Sequence, residues 1–292
     1  MSSFYRGKVI LTGEHSVVYG HTAILASLNL GITCAIKEGV LSQEQKQDPY
    51  LQHILEIFYK HAQLPKMSVA IEIASNLPEK SGLGSSAALA AAVFSELFKF
   101  HNYSLNADRL YNLVLEAENF IHGRSSGADP SIVVYGGLLA FKQGKIEPIL
   151  NKTLIDQSFF LINSGEASES TGEMVRKVAN EASNRTTLQK IGDLSQKMLV
   201  DLQAGVFNPE LLNANQILLE QIGVVGQKAQ RIIQHLRSKG AFCKITGAGG
   251  IETGSGYILA WHKNPQEFAK NLQVMGFEFF QTQLGMIYEK NS

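Results

Sequence analysis

Apolar and polar residues change rhythm several times along the chain, and those changes outline its elements. Lys8 to Thr12 (KVILT) is an apolar run that reads as a buried strand, and Thr22 to Ile36 reads as a longer, interrupted strand region. Residues 41–50 (LSQEQKQDPY) are polar with a proline near their end, which predicts a loop or exposed linker. Met67 to Ala74 alternates as a half-buried strand does. Ser85 to Phe100 is rich in Ala, Leu, Val and Phe without Gly or Pro, a helix buried on most sides. Asn106 is placed to cap a second helix over 107–121, whose apolar stripe is Leu110, Leu113, Val114, Ala117 and Ile121.

The second half opens with a short strand, FFLIN, from Phe159. Helical spacing then runs from Glu169 to Lys239, broken at Asn184, between Gly205 and Pro209, and around Gly223 to Gly226. Strand signals return at Phe242 to Thr246 and Ser255 to Trp261, followed by a helix over 265–275 and a strand over 276–282. Strands, then helices, then strands, with no internal repeat, predict a two-domain α+β protein with domains 1–156 and 157–292.

Length and composition agree with that picture. The 292 residues amount to about two domains at ~150 residues each. Apolar types at 45% and charged types at 18% exclude a disordered or fibrous chain. Twenty-six basic side chains balance 26 acidic ones, so no global field recruits nucleic acid or an anionic membrane. No apolar run approaches the ~18 residues of a membrane-spanning helix, and the N-terminus lacks a signal peptide's apolar core. Two cysteines, Cys34 and Cys243, are too few for a disulfide framework, so a reducing, cytoplasmic setting is expected. The eight histidines form no HxxxH or HxH pair that would suggest a transition-metal site. Scattered apolar residues mark no dimer patch, which leaves a homodimer open.

Four segments carry candidate chemistry. In LPEKSGLGSSAA, Gly82 and Gly84 let backbone approach a ligand, while Ser85 and Ser86 open a helix whose N-terminus favours an anion. A serine hydroxyl there also suits Mg²⁺, a hard cation. In ENFIHGRSSGAD, Glu118 lies about 80° from the centre of the helix stripe, closer than Glu116 at about 120°, which makes Glu118 the inward carboxylate. In KITGAGGIETGSG, clustered glycines suit a backbone lining a phosphate or polar ligand. In GKVILTGEHSVVYG, a strand beginning at Lys8 delivers Glu14 and His15 to a turn, the lysine able to meet an anion and the turn a polar substrate. Taken singly, each also reads as a capped turn, a flexible connection or a solvated charge.

In chain order the four resemble the motifs of the GHMP kinase family, most closely its mevalonate kinase branch. RGKVILTGEHSVVYG, PEKSGLGSSAA, ENFIHGRSSGAD and KITGAGGIETG each match, and LNANQILLEQIGVV is a weaker echo of a family helix. The resemblance implies a two-domain α+β fold, a ribosomal-protein-S5-like N-terminal domain and a ferredoxin-like C-terminal domain, with ATP and Mg²⁺ between them. It implies that Gly82, Leu83, Gly84, Ser85, Ser86 and Ala87 wrap the ATP phosphates, supported by Gly247, Ala248 and Gly249. Ser86 and Glu118 would hold Mg²⁺. Asp129 would orient the acceptor hydroxyl or take its proton, with Lys8 beside it, and Glu14 and His15 would bind substrate. The implied reaction is phosphorylation of a small-molecule alcohol, mevalonate to 5-phosphomevalonate. The alternatives are a galactokinase-like enzyme acting on a sugar or other alcohol, and a silent ligand-binding regulator. A galactokinase normally has arginine at the Lys8 position, and a silent regulator should have lost Lys8, Glu118 or Asp129.

The chain departs from the family pattern at several points. Arg6 takes a usual proline position, Arg124-Ser125 replaces a pair ending in proline, and IETGSG replaces further glycines after Gly250. Segment 163–171 (NSGEASEST) lacks a basic residue common nearby and carries Glu166 and Glu169. An acid facing the pocket would weaken the case for a carboxylate substrate.

Overall fold

The computed structural model describes residues 3–78, 81–123, 125–150 and 153–287, apart from the side chain of His122. Arg124 therefore lies outside the described residues. The first sheet is built from β1 (Phe4–Thr12), β2 (Ala23–Glu38), β3 (Val69–Ser75), β4 (Leu138–Lys142) and β5 (Lys145–Pro148). Its order is β1-β2-β4-β5, with β3 also pairing β2, and every pairing is antiparallel. The second sheet holds β6 (Phe159–Asn163), β7 (Phe242–Ile245), β8 (Tyr257–Trp261) and β9 (Phe279–Thr282) in the order β7-β8-β6-β9, again antiparallel.

Five helices accompany the first sheet: α1 (Gln43–Gln47), α2 (Pro49–Ala62), α3 (Ser85–Phe100), α4 (Ala107–His122) and α5 (Ala128–Tyr135). Five more follow β6: α6 (Thr171–Asn180), α7 (Asn184–Gln203), α8 (Glu210–Gln221), α9 (Gln227–Ser238) and α10 (Pro265–Val274). The loop expected at 41–50 is instead two helix starts. Ser42 and Gln45 form a reciprocal capping box, and the Asp48 carboxylate accepts from the backbone of Tyr50 and Leu51. Pro49 stands at the first position of α2, where its missing N–H is no loss.

The alanine run of α3 fits it tightly to the sheet, with Ala87, Ala88, Ala90, Ala91 and Ala92 fully buried. The main core continues from β1, β2 and α3 to Phe159 and Leu161 of β6 and Leu259 of β8. Phe160 and Ile162 point to a second core on the other face, with Ile233 of α9. That two-sided burial explains why FFLIN is an unbroken apolar run rather than an alternating one. Late in the chain, Leu284 bridges Leu28, and the Met286 carbonyl accepts from Ser27 Oγ at 2.6 Å and Gly137 N at 2.9 Å. Among the described residues, no helix is long and apolar enough to cross a membrane.

Candidate active site

Two clefts meet between the sheets and share Gly82, Asp129, Thr171 and Ala248. One, of about 550 Å³, is lined by the glycine-rich loops, including Ser85, Ser86 and Gly249. The other, of about 300 Å³, is lined by Lys8, Glu14, His15 and Glu118. Asp129 thus stands at the junction, in the first turn of α5. Lys8 Nζ lies 3.0 Å from Asp129 Oδ2, and the lysine is buried whereas the carboxylate keeps partial access to the clefts.

The loop before α3 is shaped around that lysine. Lys8 N donates to the Leu83 carbonyl at 2.8 Å, joining β1 to the loop. Gly84 adopts φ 78°, and a Cβ there would lie 2.8 Å from Lys8 Cγ, so glycine leaves the passage through which the side chain runs. Gly82 and Gly247, also left-handed, bring the two glycine loops together, since a Cβ on Gly82 would meet the Thr246 carbonyl at 3.3 Å. No side chain caps α3, which leaves its N-terminal end directed at the larger cleft. Leu83 and Ala87 send their side chains into the core and can serve a ligand only through backbone.

Glu118 is the inward carboxylate of α4, and 1% exposed. The Tyr50 hydroxyl sits 2.8 Å from Glu118 Oε1 and 3.3 Å from the Ser86 carbonyl oxygen, linking Glu118 to the start of α3. Burial and the Glu118 charge push the Tyr50 phenol well above its ordinary range. Glu116 faces the other way, to His61 at 2.7 Å and Lys60 at 3.5 Å.

The turn after β1 is held from the second half of the chain. Lys244, fully buried on β7, pairs with Glu14 and donates to the carbonyls of Ile10 at 2.9 Å and Ile245 at 2.6 Å. Asn215 of α8 donates to the other Glu14 oxygen at 2.8 Å. Desolvation pulls the Lys244 ammonium below its ordinary value, against the attraction of Glu14. His15 is held at φ 59° and ψ −44°, a positive-φ conformation outside the αL well that costs a side-chain-bearing residue about 1–3 kcal/mol. Its Nε2 donates to the Ala248 carbonyl at 2.9 Å, so Nδ1 is the unprotonated nitrogen, and it is buried without a hydrogen bond. Burial pushes the imidazole down to about 4.

The two divergent loops are tied to each other. Glu169 Oε1 accepts from Ile251 N at 3.0 Å and Glu252 N at 3.2 Å, while Thr253 Oγ1 donates to the Glu166 carbonyl at 2.7 Å. Both acids line the larger cleft, and neither lines the smaller. The motifs together with the family resemblance point to Lys8, Glu14, His15, Glu118, Asp129 and the glycine loops, and all border the clefts except Leu83 and Ala87. Neither points to Lys244, Asn215 or Tyr50 as their partners. A lysine inside an apolar strand was the available signal for Lys244. Cys34 and Cys243 are both buried and unpaired, their thiols raised to about 12 by burial.

Comparison with known proteins places this geometry. Residues 49–137 match the GHMP kinases N terminal domain. The chain is 33% identical to the mevalonate kinase of Archaeoglobus fulgidus over 258 residues, covering 84% of this chain and 87% of that relative. The chain belongs to the GHMP kinase family. This GHMP kinase is also 29% identical to the mevalonate kinase of Thermococcus gammatolerans, covering 92% of this chain and 91% of that one. Its fold is that of the Methanococcus jannaschii mevalonate kinase crystal structure, with a TM-score of 0.82, 24% identity, and coverage of 99% and 98%. As a GHMP kinase it is an ATP-dependent phosphotransferase whose acceptor is a small-molecule alcohol.

Proposed function

We propose that this GHMP kinase transfers the γ-phosphoryl group of ATP to the primary hydroxyl of mevalonate, with Mg²⁺. The observation that carries the reading is the Lys8–Asp129 pair at the junction of the two clefts. The larger cleft is the ATP side and the smaller one the acceptor side. The cradle fits a triphosphate: Gly82, Gly84, Ser85, Ser86 and Gly249 line the larger cleft, and α3 points its uncapped N-terminus there. Backbone of Gly82 to Ala87 would face the phosphates, with Gly247 to Gly249 supporting from the second half. Bound ATP with Mg²⁺ supplies the transferable phosphoryl group and neutralises its leaving charge.

Glu118 and Ser86 would hold Mg²⁺. Their oxygens suit a hard cation, and Mg²⁺ needs few protein ligands beside phosphates. Asp129 accepts a hydrogen bond from the acceptor hydroxyl and aims its oxygen in line. The hydroxyl proton passes to the Asp129 carboxylate as the new P–O bond forms, and the bond from the γ-phosphorus to the bridging oxygen breaks to release ADP. Lys8 balances charge on the moving phosphoryl group, so catalysis consists largely of positioning and electrostatics. His15 Nδ1, a buried acceptor without a partner, would take a hydroxyl hydrogen of the substrate. Glu14, engaged by Lys244 and Asn215, would act mainly by fixing that turn.

Separate sheets before Pro148 and after Phe159 support a lobe boundary at 156/157. The deciding experiment is ATP consumption with mevalonate, phosphomevalonate, galactose and homoserine in turn. A response to mevalonate alone is expected, and turnover of galactose or silence with all four would reject the assignment. In the same assay Glu118→Gln should raise the Mg²⁺ concentration for half activity about tenfold, equivalent to about 1.4 kcal/mol. An unchanged Mg²⁺ titration would remove Glu118 from the metal site.

A further inference from the structure

The cations at the acceptor-side cleft have unequal commitments. Lys8 is paired with Asp129, and Lys244 behind the cleft is paired with Glu14. Arg176, on the second turn of α6, lines the same cleft and is exposed at its mouth. No carboxylate among the described residues lies within salt-bridge distance of its guanidinium. Glu173, three residues earlier, feels the arginine's charge, but that carboxylate already accepts from Ser170 N at 2.7 Å and Ser170 Oγ at 2.8 Å.

Helix geometry says where this charge acts. Thr171, the first residue of α6, borders both clefts, and Arg176 lies five residues later, about 7.5 Å farther along the axis. Gly172 and Arg176 are four apart and share a face. Side chains on a helix lean toward its N-terminus, so Arg176 leans over Gly172, where no side chain fills the turn. Gly172, Val175 and Arg176 line the acceptor-side cleft and not the larger one, so the guanidinium serves the acceptor and not the phosphates.

We propose that Arg176 determines acceptor specificity by binding a carboxylate at the end of the acceptor opposite the reacting hydroxyl. This rests on the proposed hydroxy-acid substrate and names the residue that recognises its charge. Segment 163–171 contains no cation. Its Glu169 is turned to the backbone of Ile251 and Glu252 and borders only the ATP side, so no loop acid opposes Arg176 there. A planar fork of donors suits a carboxylate better than a lysine would.

The test compares mevalonate with the triol in which its carboxylate is replaced by a hydroxymethyl group. For wild type and Arg176→Gln, kcat/KM is measured on both acceptors. Loss of a charge-assisted hydrogen bond predicts that the acid-to-triol selectivity falls about 10- to 100-fold, chiefly through KM for the acid. Arg176→Lys, which keeps the charge and loses the fork, should fall between the two, and it serves as the second variant should Arg176→Gln not fold. If wild type phosphorylates mevalonate and neither variant alters the selectivity, Arg176 is not the determinant and the proposed substrate stands. If wild type phosphorylates the triol or a sugar but not mevalonate, both assignments fall.

Discussion

Lys8 and Asp129 are brought together from residues 121 positions apart, and the proposed transfer uses them as a pair. Asp129→Asn and Asp129→Ala should therefore bind ATP normally while kcat drops about 10²–10⁴-fold, the range for losing a positioned proton acceptor. Nucleotide titration and a turnover assay separate the two effects. Near-normal turnover in both variants would end the assignment. Helical periodicity was enough to separate Glu118 from Glu116, because burial on α4 follows the angle from its stripe. Periodicity cannot report a partner from another element. Tyr50 reaches Glu118 from a helix 68 positions earlier, and Asn215 reaches Glu14 across 201 positions. The first contact depends on how α2 packs against α4 and the second on how the two halves dock, neither of which a local pattern encodes.

Among the elements, the loop before α3 makes the clearest separation between packing and chemistry. Gly84→Ala should cost stability by about 1–2 kcal/mol through its left-handed backbone, and should also lower kcat because the new Cβ displaces Lys8. Gly123→Ala also meets a backbone penalty, at φ 72° and ψ −50° outside the αL well, with nothing within 4 Å of its Cβ. It should show the stability loss with little loss of turnover. Denaturant melts paired with kcat for each variant test this, and equal kinetic effects would refute the steric argument. The long helices and the apolar strands of the second sheet were legible because their patterns repeat. The β4–β5 hairpin was not. Its two-residue turn, Gln143-Gly144, has positive φ at both positions, the geometry normally announced by Asn-Gly or Asp-Gly. Glutamine gives no such notice. The polar stretch at 41–50 failed for another reason, since polarity and a proline mark a loop equally well, while Asp48-Pro49 here caps and starts a helix.

For the whole molecule, the buried Lys244–Glu14 pair is the polar tie between β7 and the turn after β1. Lys244→Met leaves a carboxylate buried beside apolar groups, so unfolding free energy should fall by about 3–5 kcal/mol. A urea melt measures it, and a loss below about 1 kcal/mol would show that Glu14 is satisfied without the lysine. Acid should weaken the fold through His15. Unfolded, that imidazole titrates near 6.5, whereas burial holds it at about 4 in the fold. Between those pH values the unfolded chain binds more protons, so stability is full above 6.5 and declines toward pH 4. The contribution is about 3 kcal/mol. Urea melts at pH 7 and pH 4.5 should show a smaller acid loss for His15→Gln than for wild type, and equal losses would contradict the burial argument. The return of residues 282–286 to β2 has a consequence for timing. Thr282 Oγ1 meets Asn29 Oδ1 at 2.6 Å across 253 positions, and Gly285 and Met286 bond to Ser27. At ribosomal speeds of about 5–20 residues/s, that strap emerges roughly 13–50 s after the strand it covers. Throughout that interval β2 waits with its contacts unfinished, so a stretch translated much later completes a strand made early.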